Sequence, residues 1–87
     1  MLEKTLMPWF YRMGAWVRLS CNRDEIAYGL VSPRLGGSRV GKSVWIWSAL
    51  NGPSGNDVSL EAAKSKCDIA LVEMGWRLLD AKVNNLL

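Results

Sequence analysis

Alternation of apolar and polar positions in the first half of the chain predicts a β-sheet. At residues 9–21 apolar side chains recur at every second position, which is the period at which the side chains of a strand share one face. We expect one strand here, or two strands if the chain turns at Gly14. A second strand is predicted at residues 26–31, after a polar turn. Residues 44–50, VWIWSAL, are β-branched and aromatic and predict the next strand, and the turn-forming residues 51–57 predict a break after it.

The last third of the chain predicts one long helix from residue 57 or 59 to about residue 83. Asp57 or Ser59 can cap its first turn, and Glu61 lies where the helix dipole favours an acid. One apolar stripe with helical spacing should lie on the sheet. It consists of Leu60, Ala63, Cys67, Ala70, Leu71, Met74 and Leu78.

These elements predict an α+β fold, with an antiparallel sheet of three or four strands packed on one long C-terminal helix. We expect a single domain, in which residues 1–8 form an N-terminal arm, residues 9–50 the sheet and residues 57–83 the helix. A chain of 87 residues builds a core that is only just adequate. Association with a second copy would add stability to such a domain.

A second apolar stripe runs along the predicted helix, on the side away from the first. Its members are Ile69, Val72, Trp76, Leu79 and Val83. One interpretation is that the N-terminal arm, with Leu2, Leu6 and Met7, folds over this stripe. The other is that a second copy or a partner protein covers it, because an apolar stripe containing a tryptophan is seldom left exposed to water.

The second face of the predicted sheet combines aromatic and basic side chains. Phe10, Arg12, Trp16 and Arg18 share it, and Trp45 and Trp47 join them if Val44, Ile46 and Leu50 point to the core. Exposed aromatics alternating with arginines bind single-stranded nucleic acid through stacking and phosphate pairing, and the same residue types form protein hot spots. The alternative is that Trp45 and Trp47 simply belong to the core.

The net charge of +3 is concentrated in the first half of the chain. Residues 9–48 carry six basic and two acidic side chains, whereas five acids and four bases follow from residue 57 onward. Residues 32–43 predict a Gly-rich loop, and three of the basic residues, Arg34, Arg39 and Lys42, lie in it. Such a loop fits a phosphate backbone or an acidic protein patch, although an ordinary solvated surface would have the same composition.

Residues 36–43, GGSRVGKS, satisfy the P-loop pattern G-x-x-x-x-G-K-[ST]. A P-loop needs a helix that begins at its Lys-Ser pair and directs the dipole at the phosphates. Here the next residues, Val44 to Trp47, have the composition of a strand, and the chain is too short for the parallel sheet that carries this motif. We therefore expect no nucleotide hydrolysis.

Other catalytic chemistry is also not expected. The chain has no histidine, the commonest general base and metal ligand, and Cys67 on the predicted core stripe would be a poor nucleophile. No pair of acids has a spacing that would hold a metal. The sequence therefore predicts no catalytic residues, no metal and no cofactor, and a protein that is not an enzyme.

Cysteine usage and the N-terminus indicate a cytoplasmic protein. Cys21 and Cys67 lack C-x-x-C spacing, so we expect two reduced, buried thiols, with a disulfide as the alternative. The segment MLEKTLMPWFYRM carries an acid and lacks the apolar core of a signal peptide. No run approaches the ~20 apolar residues of a membrane span, and we expect no membrane partner.

The succession of three strands and a helix, with Ser59 to Lys64 opening the helix, resembles the double-stranded-RNA-binding domain. The last helix of that family starts with a lysine-rich motif and continues in alanines. Leu60 and Glu61 stand where its lysines lie. This resemblance implies nucleic acid as a partner.

Residues 41–76, with GKSVWIWSAL, a Gly-rich turn and SLEAAKSKCDIA, resemble the short open reading frames of phages and prophages. The resemblance implies a viral accessory protein, a class that includes anti-CRISPR and other anti-defence inhibitors. These are small domains without catalytic residues that block a surface of a host nucleoprotein complex in the host cytoplasm. We therefore expect a non-enzymatic phage inhibitor, acting as a homodimer, with direct nucleic-acid binding as the alternative function.

Overall fold

A computed structural model describes residues 4–22, 24–33 and 44–79. It contains a five-stranded antiparallel sheet in the order β2-β3-β4-β5-β6, one helix α1, and a separate parallel pair formed by β1 and β7. The α+β class, with an antiparallel sheet and a C-terminal helix, is confirmed. The bounds are β1 Thr5–Leu6, β2 Phe10–Arg12, β3 Ala15–Leu19, β4 Ala27–Pro33, β5 Trp45–Ala49, β6 Ser54–Asp57, α1 Leu60–Glu73 and β7 Arg77–Leu78.

The long alternating segment at residues 9–21 divides at Gly14 into β2 and β3. Met13 and Gly14 form the turn with φ angles of 52° and 87°, and Arg12 pairs with Ala15 across it. Positive φ at both central residues is typical of the two-residue type I′ hairpin turn, whose twist matches that of the flanking strands. The sheet therefore has its first hairpin where the sequence left one strand or two open.

Strand β6 was not predicted, because residues 51–57 have the composition of a turn. Ser54–Asp57 forms an edge strand on β5, with Ser48 opposite Ser54 and Trp45 opposite Asp57. The chain reverses at Asn51, which has a φ of 61°, and the Ala49 N–H donates to the Pro53 carbonyl. Pairing with the apolar strand β5 therefore decides the structure of a segment that has little strand propensity of its own.

The helix is shorter than predicted, and its end at about residue 83 is wrong. Helix α1 is Leu60–Glu73, and Gly75 follows it with a φ of 102°, a conformation that commonly ends helices. The chain then returns as β7 beside β1, with Thr5 opposite Arg77 and Leu6 opposite Leu78. Residues 80–87 lie outside the described part of the chain.

The first apolar stripe of α1 packs on the sheet as predicted. Ala63, Cys67, Ala70 and Leu71 are buried in one cluster with Val31, Ala49 and Leu6, and Leu60 and Met74 pack against it. Leu78 is also buried there, but it comes from β7 rather than from the helix. The start of the helix is confirmed too, since Ser59 caps it by accepting from the Ala62 N–H at 3.2 Å.

Candidate functional site

The helix covers the face of the sheet that was expected to be exposed. Trp16, Trp45 and Trp47 pack against the core cluster under α1, whereas Ile46 and Leu50 are exposed. The condition that Val44, Ile46 and Leu50 point to the core is therefore not met by Ile46 and Leu50, and the alternative that Trp45 and Trp47 belong to the core is what the structure shows. The physical reason is that the aromatic rings of Trp45 and Trp47 bury more apolar surface under the helix than the aliphatic side chains of the other face would.

Arg18 is likewise buried rather than exposed, with 2% of its surface accessible. Its Nε donates to Asp68 Oδ1 at 2.8 Å and its Nη2 to Asp68 Oδ2 at 3.3 Å. Its Nη1 donates to the Met7 carbonyl at 2.7 Å, and Trp9 Nε1 donates to Asp68 Oδ1 at 3.0 Å. The guanidinium thus holds helix, sheet and N-terminal segment together, and it is not placed to meet a phosphate.

Trp16 lies under the side of the helix and is also occupied. The ammonium of Lys64 lies 3.6 Å from the centroid of the Trp16 ring, within the range of a cation–π contact. Tyr11 meets the same indole edge to face, with centroids 5.5 Å apart. A nucleic-acid base would have to displace these contacts in order to stack there.

Phe10 and Arg12 lie on the opposite face from Trp16 and Arg18. Phe10 pairs with Val17 and Arg12 with Ala15, and directly opposed residues of neighbouring strands share a face. The two-residue turn therefore places even-numbered residues of β2 beside odd-numbered residues of β3. The expected set of aromatic and basic residues is thereby divided between two faces of the sheet.

The side of the sheet that α1 does not cover, here called the open face, is apolar near β2, β3 and β4. Its central residue is Val17, which is 6% exposed although it lies outside the core cluster beneath α1. Its apolar residues are Phe10, Ala15, Val17, Leu19, Leu30 and Ile46, and the part formed by β4, β5 and β6 also carries the polar residues Ser32, Ser48, Ser54 and Asn56. The sequence placed the candidate surface on the other side of β3, with Trp16 and Arg18, and therefore did not identify this one.

A shallow depression of about 300 Å³ follows β3 on the open face. It is lined by Arg12, Met13, Ala15, Val17, Leu19, Glu25, Ala27 and Leu30. Met13, at the tip of the β2–β3 hairpin, is 93% exposed and stands at its rim. Burial of so exposed an apolar side chain by a partner is favourable, because it removes apolar surface from water.

The charges of the open face lie at opposite ends of the depression. Arg12 is the last residue of β2 and lies beside Ala15 at the hairpin turn. Glu25 lies just before β4, whose first residue, Ala27, pairs with Leu19. Neither Arg12 nor Glu25 forms an ion pair with another residue of the described segments. The apolar residues of β3 therefore separate one positive and one negative group.

The second apolar stripe does not form one surface. Ile69 and Val72 are exposed on α1, but Trp76 lies beyond the end of the helix and packs on Tyr28 with ring centroids 4.6 Å apart. Leu79 is exposed beyond β7, and Val83 lies outside the described residues. The expectation of a continuous helical stripe is wrong because the helix ends at Glu73.

The N-terminal arm contributes to the fold but does not cover the exposed helix residues. Leu6 is buried in the core and pairs with Leu78, and Lys4 places its ammonium 4.6 Å from the Trp76 ring centroid. Met7 is exposed, and Leu2 lies outside the described segments. Of the second stripe, the arm therefore reaches Trp76, while Ile69 and Val72 stay accessible.

The titratable groups show structural roles. Burial raises the pKa of the Cys67 thiol to about 11, and its Sγ donates to the Ser48 carbonyl at 3.3 Å. A hydrogen bond from Lys66 lowers the pKa of Asp57, and a hydrogen bond to Asp24 raises the pKa of Tyr28. Cys21 and Cys67 are both free, with Cys67 buried and Cys21 only half-buried. Residues 4–22, 24–33 and 44–79 contain no cluster of three metal-ligating side chains.

The basic loop residues Arg34, Arg39 and Lys42, together with the P-loop-like motif at 36–43, lie outside the described residues. Strand β5 begins at Trp45, two residues after Ser43. The strand predicted to follow Lys42 and Ser43 is therefore confirmed, and a P-loop would require a helix there.

No family model, curated protein or solved structure matches the chain. Within the described segments, no helix has both the length and the apolar character that crossing a bilayer requires. The geometry of the open face therefore carries the functional argument.

Proposed function

We propose that this protein is a non-enzymatic binding protein that acts through the open face of its sheet. The observation that carries this proposal is the apolar depression along β3, with Met13 exposed at its rim. An antiparallel sheet commonly has one face on a core and a polar face in water. On the open face, β2, β3 and the adjoining part of β4 have apolar side chains where polar ones are usual, whereas β5 and β6 contribute polar ones such as Ser48 and Asn56.

The chemistry of the open face favours a protein as the partner. Methionine side chains adapt to irregular apolar surfaces, and interface centres are depleted in charge. Of the side chains expected to stack on or pair with nucleic acid, Trp16 and Arg18 are held in contacts beneath α1. Arg12 is the basic side chain that lines the depression.

The resemblance to phage accessory proteins extends the proposal. On that resemblance, the partner is a component of a host nucleoprotein complex in the host cytoplasm, and binding inhibits the complex by covering one of its surfaces. A small domain can inhibit in this way without catalytic residues, because an interface of standard size needs ~800 Å² from each partner.

The test is capture from nuclease-treated bacterial lysate with four forms of the protein as bait. Met13→Asp removes the apolar tip at a position where Asp tolerates positive φ, and Ile46→Glu charges the open face. Ile69→Glu makes a matched charge change on the exposed side of α1. Circular dichroism and urea unfolding verify that each bait is folded.

We expect wild type and Ile69→Glu to retain the same protein, and Met13→Asp and Ile46→Glu to lose it. Retention by all four forms would contradict a binding role for the open face. Capture of nucleic acid alone from lysate without nuclease, lost in high salt, would instead support the nucleic-acid alternative, because phosphate contacts weaken steeply with salt.

A further inference from the structure

We propose that in the free protein the open face is covered by a second copy of the same chain, in a symmetric dimer packed sheet to sheet. This inference rests on the proposed function, since it concerns the same surface. It adds a form of regulation, because a partner protein must displace the second copy. Two stacked sheets lie ~10 Å apart, with the side chains of their inner faces interdigitated.

The arrangement of charge is the main argument for a second copy. A two-fold interface uses the same patch on both chains, so the patch must be complementary to itself. Arg12 and Glu25 lie at opposite ends of the depression, separated by the stretch of β3 from Ala15 to Leu19. At the rise of a strand this separation is roughly 13 Å.

A two-fold axis between the sheets, crossing near Val17, brings Arg12 of one copy to the Glu25 end of the other. Symmetry repeats this contact, so the dimer contains two ion pairs, one on each side of an apolar centre. Two like charges would instead meet if the patch carried charge of one sign. The charges thus favour this register. They oppose a parallel register, because Arg12 would then face Arg12 and Glu25 would face Glu25.

The shape of the surface agrees with this register. Met13 lies at the Arg12 end of the depression, so in the dimer it reaches the end of the second copy's depression formed by Leu19 and Ala27. The exposed methionine then contacts apolar side chains in place of water. Val17, which is nearly buried in a single chain with 6% of its surface exposed, lies at the centre of the interface.

The exposed residues of α1 provide a weaker basis for self-association. Ile69 and Val72 form a short apolar patch, and the nearby Lys66 already pairs with Asp57 at 2.6 Å. The open face combines apolar area, a depression and opposite charges on one surface. A second copy therefore fits the open face better than the helix.

A charge-swap series measured by sedimentation equilibrium at low salt and pH 7 tests the dimer. The variants are Arg12→Glu, Glu25→Arg and the double variant with both changes. Matched controls are Arg77→Glu and Glu73→Arg, which change the net charge equally at exposed positions outside the open face. Circular dichroism verifies the fold of each variant.

We expect a wild-type dimer whose dissociation constant rises about tenfold or more in each single variant, because each change creates two like-charge contacts. The double variant should return to within a few-fold of wild type, and the two controls should not change the constant. Recovery in the double variant is the result that a general effect of net charge would not produce.

Three results would overturn the inference: a wild type that stays monomeric at millimolar concentration, a double variant that stays as weak as the single variants, or a dimer lost in Ile69→Glu but kept in the charge variants. The capture experiment separates these failures from failure of the proposed function. A monomer that still retains a partner through Met13 and Ile46 contradicts the dimer alone. Loss of both dimerisation and capture contradicts both proposals.

Discussion

Arg18 on β3 and Asp68 on α1 form a two-point ion pair across the interface between sheet and helix, with N–O distances of 2.8 and 3.3 Å. The two residues are 50 positions apart in the chain. Because Trp9 donates to the same carboxylate, the pair also fixes the segment that leads into β2. This contact orients the helix on the tryptophan side of the sheet and leaves the other side open.

Replacement of Asp68 by Ala should destabilise the protein by about 3 kcal/mol, because it leaves the buried Arg18 charge without its carboxylate. The value lies at the low end for buried pairs because the Asp68 side chain keeps 26% of its surface accessible. Urea unfolding followed by tryptophan fluorescence measures the loss.

The double variant Arg18→Met, Asp68→Leu is the control for that experiment. It removes both charges and should unfold at a higher urea concentration than Asp68→Ala, because no uncompensated charge stays buried. If the two variants were equally unstable, the packing of the side chains rather than the ion pair would account for the loss.

Local signals predicted the helix start and its buried stripe, because capping and helical spacing act within a few residues. The end of the helix depended on β7 pairing with β1, which joins residues more than 70 positions apart, as with Thr5 and Arg77. Gly75, with its positive φ, was the local sign that the helix stops early. A stretch of good helix formers around it favoured the longer helix.

The covered face of the sheet could not be predicted from alternation, which separates two faces without telling which one the helix covers. The burial of Arg18 requires Asp68 as its ion-pair partner. In the sequence, Asp68 is equally suited to pair with Lys64, which lies four residues earlier on the helix. The division of Phe10 and Arg12 from Trp16 and Arg18 follows from the turn at Met13 and Gly14. Recognition of a two-residue turn in the sequence would have predicted this division, because such a turn pairs the even-numbered Arg12 with the odd-numbered Ala15.

Replacement of Ser59 by Ala should cost about 1 kcal/mol, because its hydroxyl accepts from an N–H in the first turn of α1. Ser65→Ala, at an exposed position inside the helix, is the matched control and should leave stability unchanged or slightly higher. Thermal unfolding of both variants measures the difference. Equal unfolding temperatures would show that the cap does not stabilise the helix.

Replacement of Gly29 by Ala should destabilise the protein by about 1–2 kcal/mol through overpacking. A Cβ there would lie 3.0 Å from Leu71 Cδ1 and 3.2 Å from the Trp9 ring. Leu71 is fully buried and Trp9 is held by Asp68, so neither can move away easily.

Gly52→Ala is the comparison for Gly29→Ala. Its added methyl group meets the end of the Met74 side chain, which is flexible and only half-buried. We expect a smaller loss of unfolding free energy in urea than for Gly29→Ala. The reverse order would show that the contact between β4 and α1 has room for a methyl group.

The two thiols should differ in reactivity with Ellman's reagent at pH 8. Burial raises the pKa of Cys67 to about 11, so its reactive thiolate is scarce, whereas Cys21 is half-buried. We expect one thiol to react rapidly in the native protein and the second only in urea. Cys67→Ala should retain the rapid reaction, and Cys21→Ala should lose it.

The same pKa predicts how Cys67 affects stability at alkaline pH. The thiol ionises near pH 9 in the unfolded chain but near pH 11 in the folded protein, so between these values the unfolded state binds fewer protons. The free energy of unfolding must therefore fall as pH rises from about 9 to about 11. Tyrosine and lysine also titrate in this range, so the measurement compares wild type with Cys67→Ala at pH 8 and pH 10. Wild type should lose more stability than the variant, and equal losses would show that the folded and unfolded thiols ionise alike.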